Sequence, residues 1–99
     1  MAPGPLCLVT YNVRVKTAQD MGATAWEARR GRVAHQLLGC GAHCFGLQEV
    51  TSEQLQDLQR LLPSRFASVS QGRDGGQDGE HCPIFWDTAV LHLCDSGTF

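Results

Sequence analysis

The sequence contains little that would attract a nucleic acid or a membrane. Its 99 residues include 8 basic and 10 acidic side chains, so the net charge is −2 and contacts with phosphate groups have to be local. No stretch approaches the roughly 18 consecutive apolar residues that a membrane helix needs. Nor does a positively charged segment precede the short apolar run near the start, as it would in a signal peptide. These absences predict an intracellular chain, cytoplasmic or nuclear, with no membrane partner.

The signatures of several common sites are also missing. The glycine-rich segment 72–80 has neither the Gly-Lys-Ser/Thr of a phosphate-binding loop nor, at Phe85, the acidic twelfth residue of a calcium loop. The histidines and cysteines of segment 35–44 lack the spacing of a zinc site, and five cysteines are an odd number for a disulfide framework. We therefore expect reduced thiols, and a connecting loop at 71–81.

What is present is an alternation of apolar strands and amphipathic helices within one domain. The apolar run at 6–9 is typical of a strand that is covered on both faces, and the run at 44–47 is typical of a second apolar strand. Thr24 and Thr51 each begin a capping box, which predicts that a helix follows. The predicted elements are a strand at 6–9 that continues through 10–12, a helix at 25–38, a strand at 44–47, a helix from 52 to Pro63, a strand at 66–70, and a hairpin of 82–86 with 89–93.

Two polar residues stand where the first two predicted strands end. Asn12 closes the first strand, and Glu49 follows the second. A strand–helix–strand–helix order is typical of a parallel sheet, whose ligands collect at the carboxyl ends of the strands. Taken separately, Asn12 is also a common type of turn residue and Glu49 a common type of solvated strand end. Together they mark one edge of the sheet as a candidate site.

Five short motifs occur in order along the chain. They are Thr10-Tyr11-Asn12-Val13-Arg14, Trp26-Glu27-x-Arg29, Gly46-Leu47-Gln48-Glu49-Val50, Gly72-Arg73-Asp74-Gly75 with Gly79-Glu80-x-x-Pro83-Ile84-Phe85, and Asp95-Ser96-Gly97-Thr98-Phe99. In order and spacing this set resembles the endonuclease/exonuclease/phosphatase superfamily, which has the deoxyribonuclease I-like fold, and above all its small bacterial and fungal members. One departure is segment 16–24, which lacks the Asp-Gly-Pro-like turn of those relatives.

The resemblance implies a fold and a chemistry. The implied fold is α/β (α+β), a four-layer α/β/β/α sandwich in which two mixed sheets face each other with helices outside. The implied chemistry is metal-assisted hydrolysis of phosphodiester or phosphomonoester bonds, by Mg²⁺ or alternatively Mn²⁺, and nucleases and 3'-5' exonucleases belong to this class. The implied substrate is thus a phosphate ester, nucleic acid included.

The resemblance also implies residue roles. Glu49 corresponds to the metal-binding glutamate, and a single carboxylate suits Mg²⁺, which keeps several waters and takes substrate phosphate oxygens. Asn12 corresponds to the active-site asparagine, whose amide can donate to a phosphate oxygen. Glu80 corresponds to the glutamate that orients a catalytic histidine, and Arg73 is placed to contact the substrate phosphate.

That histidine and the later Asp-x-Asn and Ser-Asp-His motifs of the family are not among these 99 residues. We therefore expect residues 1–99 to form a partial domain, the N-terminal half, with one mixed sheet and two helices and without activity on its own. The exposed sheet face then needs the missing half or a partner chain. At about 25 cal/mol per Å², a face of roughly 400 Å² corresponds to about 10 kcal/mol of burial. The alternative is a truncated, non-catalytic half-domain that acts as a binding or interaction module.

Overall fold

The computed structural model describes residues 5–70, 72, 79–94 and 96. Within these residues, the strands and α-helices form a single sheet with helices on one side. They are β1 (Leu8–Asn12), α1 (Trp26–Gly39), β2 (Cys44–Gln48), α2 (Ser52–Leu61), β3 (Phe66–Val69) and β4 (Ile84–Asp87). A short 3₁₀ helix, Gly22–Thr24, precedes α1. The predicted class, one mixed sheet with two helices, is confirmed.

The sheet has the strand order β1-β2-β4-β3. Strands β1 and β2 are parallel, whereas β4 runs antiparallel to both of its neighbours, β2 and β3. The parallel pairing expected from the strand–helix order therefore applies to the first two strands only. Its register aligns Asn12 with Gln48, so β1 and β2 end at the same edge of the sheet.

One face of the sheet packs against the two helices. The alternate strand residues Phe45, Leu47 and Phe85 are fully buried on this side, where they meet Leu37 of α1 and Leu58 of α2. The Phe45 ring stacks on the Phe85 ring with centroids 5.4 Å apart. Because successive strand residues point to opposite faces, burying this set leaves the neighbouring positions on the other face.

The other face of the sheet is open among the described residues. Leu8 is 69% exposed and Ile84 is 47% exposed. The prediction that the first strand is covered on both faces is thus wrong, because β1 alternates between exposed and half-buried residues. Strand alternation and register place on this open face Leu8, Thr10, Asn12, Cys44, Gly46, Gln48, Ala67, Val69, Ile84 and Trp86.

The two helices begin in different ways. At α2, the Thr51 hydroxyl accepts a hydrogen bond from the Gln54 backbone and the Gln54 side chain bonds back, so the predicted capping box is confirmed. At α1, the N-cap is Ala25 and has no side-chain cap. The box predicted at Thr24 is wrong because this residue ends the 3₁₀ helix and its hydroxyl donates to the Met21 carbonyl oxygen at 2.8 Å.

The chain leaves the sheet after β4. Asp87 accepts hydrogen bonds from the backbone of Ala89 through its carboxylate, and from the backbones of Val90 and Leu91 through its carbonyl oxygen. These local bonds curl the segment into a turn, so the second strand predicted at 89–93 is absent from the described residues. None of the described helices combines the length and the apolar composition that a membrane span requires.

Candidate functional site

The parallel strands β1 and β2 bring Asn12 and Glu49 into direct contact. The Asn12 Nδ2 group donates a hydrogen bond to Oε2 of Glu49. The backbone N–H of Val13 donates to the Gln48 carbonyl oxygen at 3.2 Å, which continues the parallel pairing to the point where the strands end. The structure therefore places the two residues together at the edge where the sequence predicts them.

The surroundings of Glu49 keep its carboxylate ionised. The hydrogen bond from Asn12, a second one from the Val15 backbone N–H to Oε1 at 3.4 Å, and the positive charge of Arg14 hold the pKa of Glu49 below its usual value. Partial burial acts in the opposite direction and is outweighed. At neutral pH the site thus presents a half-buried anion.

Both loops at this edge contain a residue with a left-handed backbone. Glu49 has φ 62° and Arg14 has φ 61°, a conformation that is uncommon for residues other than glycine. The Arg14 backbone N–H donates to Oδ1 of Asn12 at 2.8 Å, which orients the asparagine amide so that Nδ2 faces Glu49. Strained backbone of this kind costs about 1–3 kcal/mol per residue and clusters at functional sites.

Arg14 adds a cation beside the pair, and sequence reasoning gave it no individual role. Its guanidinium group binds the carboxylate of Asp20 through Nε at 2.9 Å and Nη2 at 2.8 Å. These bonds raise the pKa of Arg14 and lower the pKa of Asp20. The Arg14 side chain is 61% exposed, and its positive charge helps to lower the pKa of Glu49.

The other two predicted site residues, Glu80 and Arg73, belong to the segment that precedes β4. Glu80 is half-buried, and the next residue, His81, forms a backbone bridge to Val50. This bridge brings Glu80 to the end of the sheet where Glu49 lies. Arg73 lies outside the described residues, so its contact with a substrate phosphate stays a prediction.

Two buried polar side chains at this end of the sheet were not identified as site residues from the sequence. Gln54 is 0% exposed and hydrogen-bonds to the loop that follows β1. His81 is 1% exposed and lies between the hydroxyl groups of Ser52 (3.1 Å) and Ser70 (2.6 Å). The sequence gave only a partial signal for Gln54, which stands at the third helical position of the predicted capping box.

The donor chemistry of the site fits a hard divalent cation. Glu49 offers an ionised carboxylate, and Mg²⁺ binds with one or two protein carboxylates plus waters and phosphate oxygens. Within the described residues no group of three or more His, Cys, Asp or Glu side chains could hold a metal ion. The residues therefore fit an ion that takes most of its ligands from water and substrate, and they do not form a closed metal cage.

Comparison with known proteins finds similarity to solved structures. No family model matches the sequence, and no curated protein matches it. Solved structures do match: an endonuclease/exonuclease/phosphatase from Bacteroides vulgatus is 32% identical over 81% of this chain, with a TM-score of 0.75. A mannosyl-6-phosphatase from Bacteroides thetaiotaomicron is 31% identical over 86% of the chain, with a TM-score of 0.80.

A third similar structure is an endonuclease/exonuclease/phosphatase family protein from Bacteroides thetaiotaomicron. It is 31% identical over 85% of this chain, with a TM-score of 0.79. In the three cases the match covers 30%, 32% and 30% of the relative's own length. The present chain thus spans about a third of these relatives.

Proposed function

We propose, from the premise that this chain belongs to the endonuclease/exonuclease/phosphatase family, that it supplies the metal-holding part of a phosphoester hydrolase. The observation that carries this proposal is the hydrogen-bonded pair of Asn12 and Glu49 at the common end of β1 and β2. An ionised carboxylate and an amide donor at one sheet edge are the groups that a divalent cation and a phosphate ester require.

Each residue of the pair has a distinct task in this proposal. Glu49 holds a Mg²⁺ or Mn²⁺ ion, which when bound polarises the phosphoryl group and stabilises the leaving oxygen. Asn12 uses one Nδ2 proton to orient Glu49 and keeps the second for a phosphate oxygen. Arg14, which is paired with Asp20, is the cation whose charge acts on Glu49, and we propose that its exposed guanidinium group also contacts the substrate phosphate.

Glu80 and Arg73 complete the proposed set. Glu80 orients the catalytic histidine of the complete domain through the ring N–H, and Arg73 contacts the substrate phosphate. The general base belongs to motifs that these 99 residues do not include. We therefore assign hydrolysis to the protein that carries this chain together with those motifs.

A small phosphomonoester is the substrate that we favour. One similar structure is a mannosyl-6-phosphatase, which indicates that this fold can accept a sugar phosphate. The net charge of −2 provides no broad basic surface, whereas a polynucleotide backbone is bound largely by lysine and arginine side chains. Phosphodiesters and nucleic acid, the substrates of a nuclease or exonuclease, are the alternatives.

The proposal predicts metal-dependent hydrolysis by the protein that carries these residues. We expect it to cleave p-nitrophenyl phosphate or mannose 6-phosphate with Mg²⁺ or Mn²⁺, and to lose at least about 100-fold in rate with EDTA, because the ion stabilises charge in the transition state. Bis(p-nitrophenyl) phosphate and single-stranded DNA, assayed in parallel, distinguish the diesterase and nuclease alternatives. Hydrolysis that is insensitive to EDTA, or no hydrolysis of any of these esters, would contradict the proposal.

A second candidate function, a non-catalytic interaction module, is favoured by the open apolar face of the sheet. Leu8, Ile84 and Trp86 lie on this face, and no described element packs against it. In the catalytic proposal the remaining part of the domain covers the same face. We propose that in the isolated chain a second copy covers it.

The open face predicts self-association of the 99-residue chain. In sedimentation velocity, we expect a species larger than the 10.8 kDa monomer, because exposed apolar surface is buried on association. The double substitution Leu8→Lys with Ile84→Lys shifts the chain to the monomer. Leu61→Lys serves as the matched control, since Leu61 is also exposed (43%) but lies on α2. A monodisperse monomer with a sharp cooperative melt would refute this prediction.

A further inference from the structure

We propose that Gln54 is a positioning residue that sets the geometry of the Asn12–Glu49 pair; this inference rests on the function proposed above. Gln54 does not touch the pair. It lies on the first turn of α2, is 0% exposed, and contacts the backbone of both loops that end at the site. The side-chain amide offers an NH2 group as donor and an oxygen as acceptor: the loop after β1 uses both, and the loop after β2 uses the oxygen.

The contacts of Gln54 link the loop after β1 to the loop after β2. Its Nε2 group donates to the Arg14 carbonyl oxygen at 2.9 Å. Its Oε1 atom accepts from the backbone N–H of Lys16 at 3.1 Å and from the backbone N–H of Thr51 at 3.0 Å. One side chain therefore fixes the positions of residues two after Asn12 and two after Glu49.

These bonds close a ring of interactions that passes through the candidate site. From Gln54 the ring continues to the carbonyl oxygen of Arg14. The backbone N–H of the same residue donates to Oδ1 of Asn12. The Asn12 amide then donates to Glu49, and the chain returns through Thr51 to Oε1 of Gln54. A displacement of either loop is therefore transmitted to the Asn12 amide.

The ring explains how two strained residues coexist at this edge. Arg14 and Glu49 both have positive φ, a state that persists only where the surroundings fix it strongly. Arg29 also donates to the Arg14 carbonyl oxygen, at 3.4 Å, but it makes no contact with the loop after β2. Gln54 thus holds the backbones of the two strained loops against each other, in addition to the bonds that Glu49 itself accepts from Asn12 and Val15.

Gln54→Met tests the inference, because methionine keeps the length and helix propensity of glutamine but removes all three side-chain hydrogen bonds. Gln56→Met is the matched control, since Gln56 lies exposed on the same helix. Asn12 is the only asparagine in the sequence, so labelling with ¹⁵N-asparagine gives a single pair of side-chain amide signals, recorded on the chain that carries Leu8→Lys and Ile84→Lys so that it stays monomeric. These signals report the Asn12–Glu49 hydrogen bond without any activity assay.

We expect the Asn12 amide signals to move to the values of an exposed asparagine in Gln54→Met and to stay unchanged in Gln56→Met. We also expect Mn²⁺, measured by electron paramagnetic resonance, to bind roughly 10- to 100-fold more weakly in Gln54→Met, as when the partner of a metal ligand is removed. Unchanged amide signals and unchanged Mn²⁺ affinity, even with a lowered melting temperature, would show a merely structural residue and overturn the inference.

A second variant covers the case in which Gln54→Met does not fold. Gln54→Glu keeps the acceptor for Lys16 and Thr51 but loses the donor to Arg14, so the Asn12 signals should again move. If neither variant folds while Gln56→Met does, Gln54 belongs to the fold and not to the site, and the inference fails. If the unsubstituted chain binds no Mn²⁺, the proposed function loses its support, whereas the Asn12 signals still decide the inference about Gln54.

Discussion

Replacing Glu49 by glutamine removes Mn²⁺ and Mg²⁺ binding and lowers phosphoester hydrolysis by about 100-fold or more, while the fold is retained. A bound ion contributes several kcal/mol of charge stabilisation in the transition state, and each 1.4 kcal/mol is a factor of ten in rate. Glutamine is isosteric with glutamate and its Oε1 can still accept the hydrogen bond from Asn12. The change therefore removes the charge of the carboxylate and the longer hydrogen bond from the Val15 N–H at 3.4 Å.

Metal titration of the 99-residue chain and kinetics of the protein that carries it measure this effect. Glu53→Gln is the control, because it removes the same charge from an exposed residue that pairs with Lys16 outside the Asn12–Glu49 contact. If the Glu49→Gln protein keeps a metal affinity and a hydrolysis rate within twofold of those of the unsubstituted protein, Glu49 is excluded as the metal ligand.

The pH dependence of metal binding provides a second measurement on the same residue. The pKa of Glu49 lies below its ordinary value of 4.5, mainly because Asn12 donates to the carboxylate. Since a cation binds the ionised form, we expect the decline in affinity at low pH to be centred below 4.5. A decline centred above pH 4.5 would contradict this assignment.

Replacing Asp57 by alanine destabilises the chain by about 1–3 kcal/mol, as expected when a buried hydrogen-bond donor loses its acceptor. Asp57 is 4% exposed, and its carboxylate accepts hydrogen bonds from Trp26 Nε1 at 2.9 Å, from Arg30 Nη1 at 3.3 Å, and from Arg60. Trp26 and Arg30 belong to α1, whereas Asp57 and Arg60 belong to α2. Alanine therefore leaves the buried indole N–H of Trp26 without its acceptor. It also removes the ion pair between Arg30 of α1 and residue 57 of α2.

Urea unfolding at pH 7 measures the loss of stability. Glu27→Gln is the control, because Glu27 is an exposed residue of α1 whose ion pair with Lys16 is worth at most about 1 kcal/mol. Asp57→Asn should cost less than Asp57→Ala, since asparagine still offers an acceptor to Trp26. An Asp57→Ala chain no less stable than Glu27→Gln would rule out this account of the helix pair.

Acid unfolding tests the same carboxylate. Burial raises the pKa of Asp57, but the hydrogen bonds from Trp26, Arg60 and Arg30 outweigh burial and leave the pKa below its ordinary value of 3.8. A lowered carboxyl pKa contributes stability that is present above the unfolded value and is lost as the pH falls through the folded one. We expect the Asp57→Asn chain to lose this part of the acid sensitivity.

Local sequence signals predicted the elements whose ends are fixed by nearby residues. Helix α2 begins at a capping box that needs only Thr51 and Gln54, and it was predicted correctly. The same spacing at Thr24 failed because the Thr24 hydroxyl has another local acceptor, the Met21 carbonyl oxygen. The strand predicted at 89–93 failed because Asp87 binds the following backbone N–H groups. In both failures a competing short-range hydrogen bond determined the backbone.

For the candidate site, the sequence indicated which residues to examine but not how they are held. Asn12 and Glu49 could be identified because each follows an apolar strand, and parallel strands end at a common edge. The role of Gln54 could not be predicted, since its partners Arg14 and Lys16 lie about 40 residues away in the sequence. No local pattern encodes a contact between residues so far apart.

The sequence by itself determined the alternation of the four strands with the two α-helices and the two polar residues at the strand ends. These features follow from hydrophobic periodicity and short-range capping, which act within a few residues. Only the tertiary structure decided that β4 inserts between β2 and β3, that one sheet face stays open, and that Gln54 joins the two loops of the site. Such features depend on packing and hydrogen bonds between distant segments, whose free energy is gained only when the chain has folded.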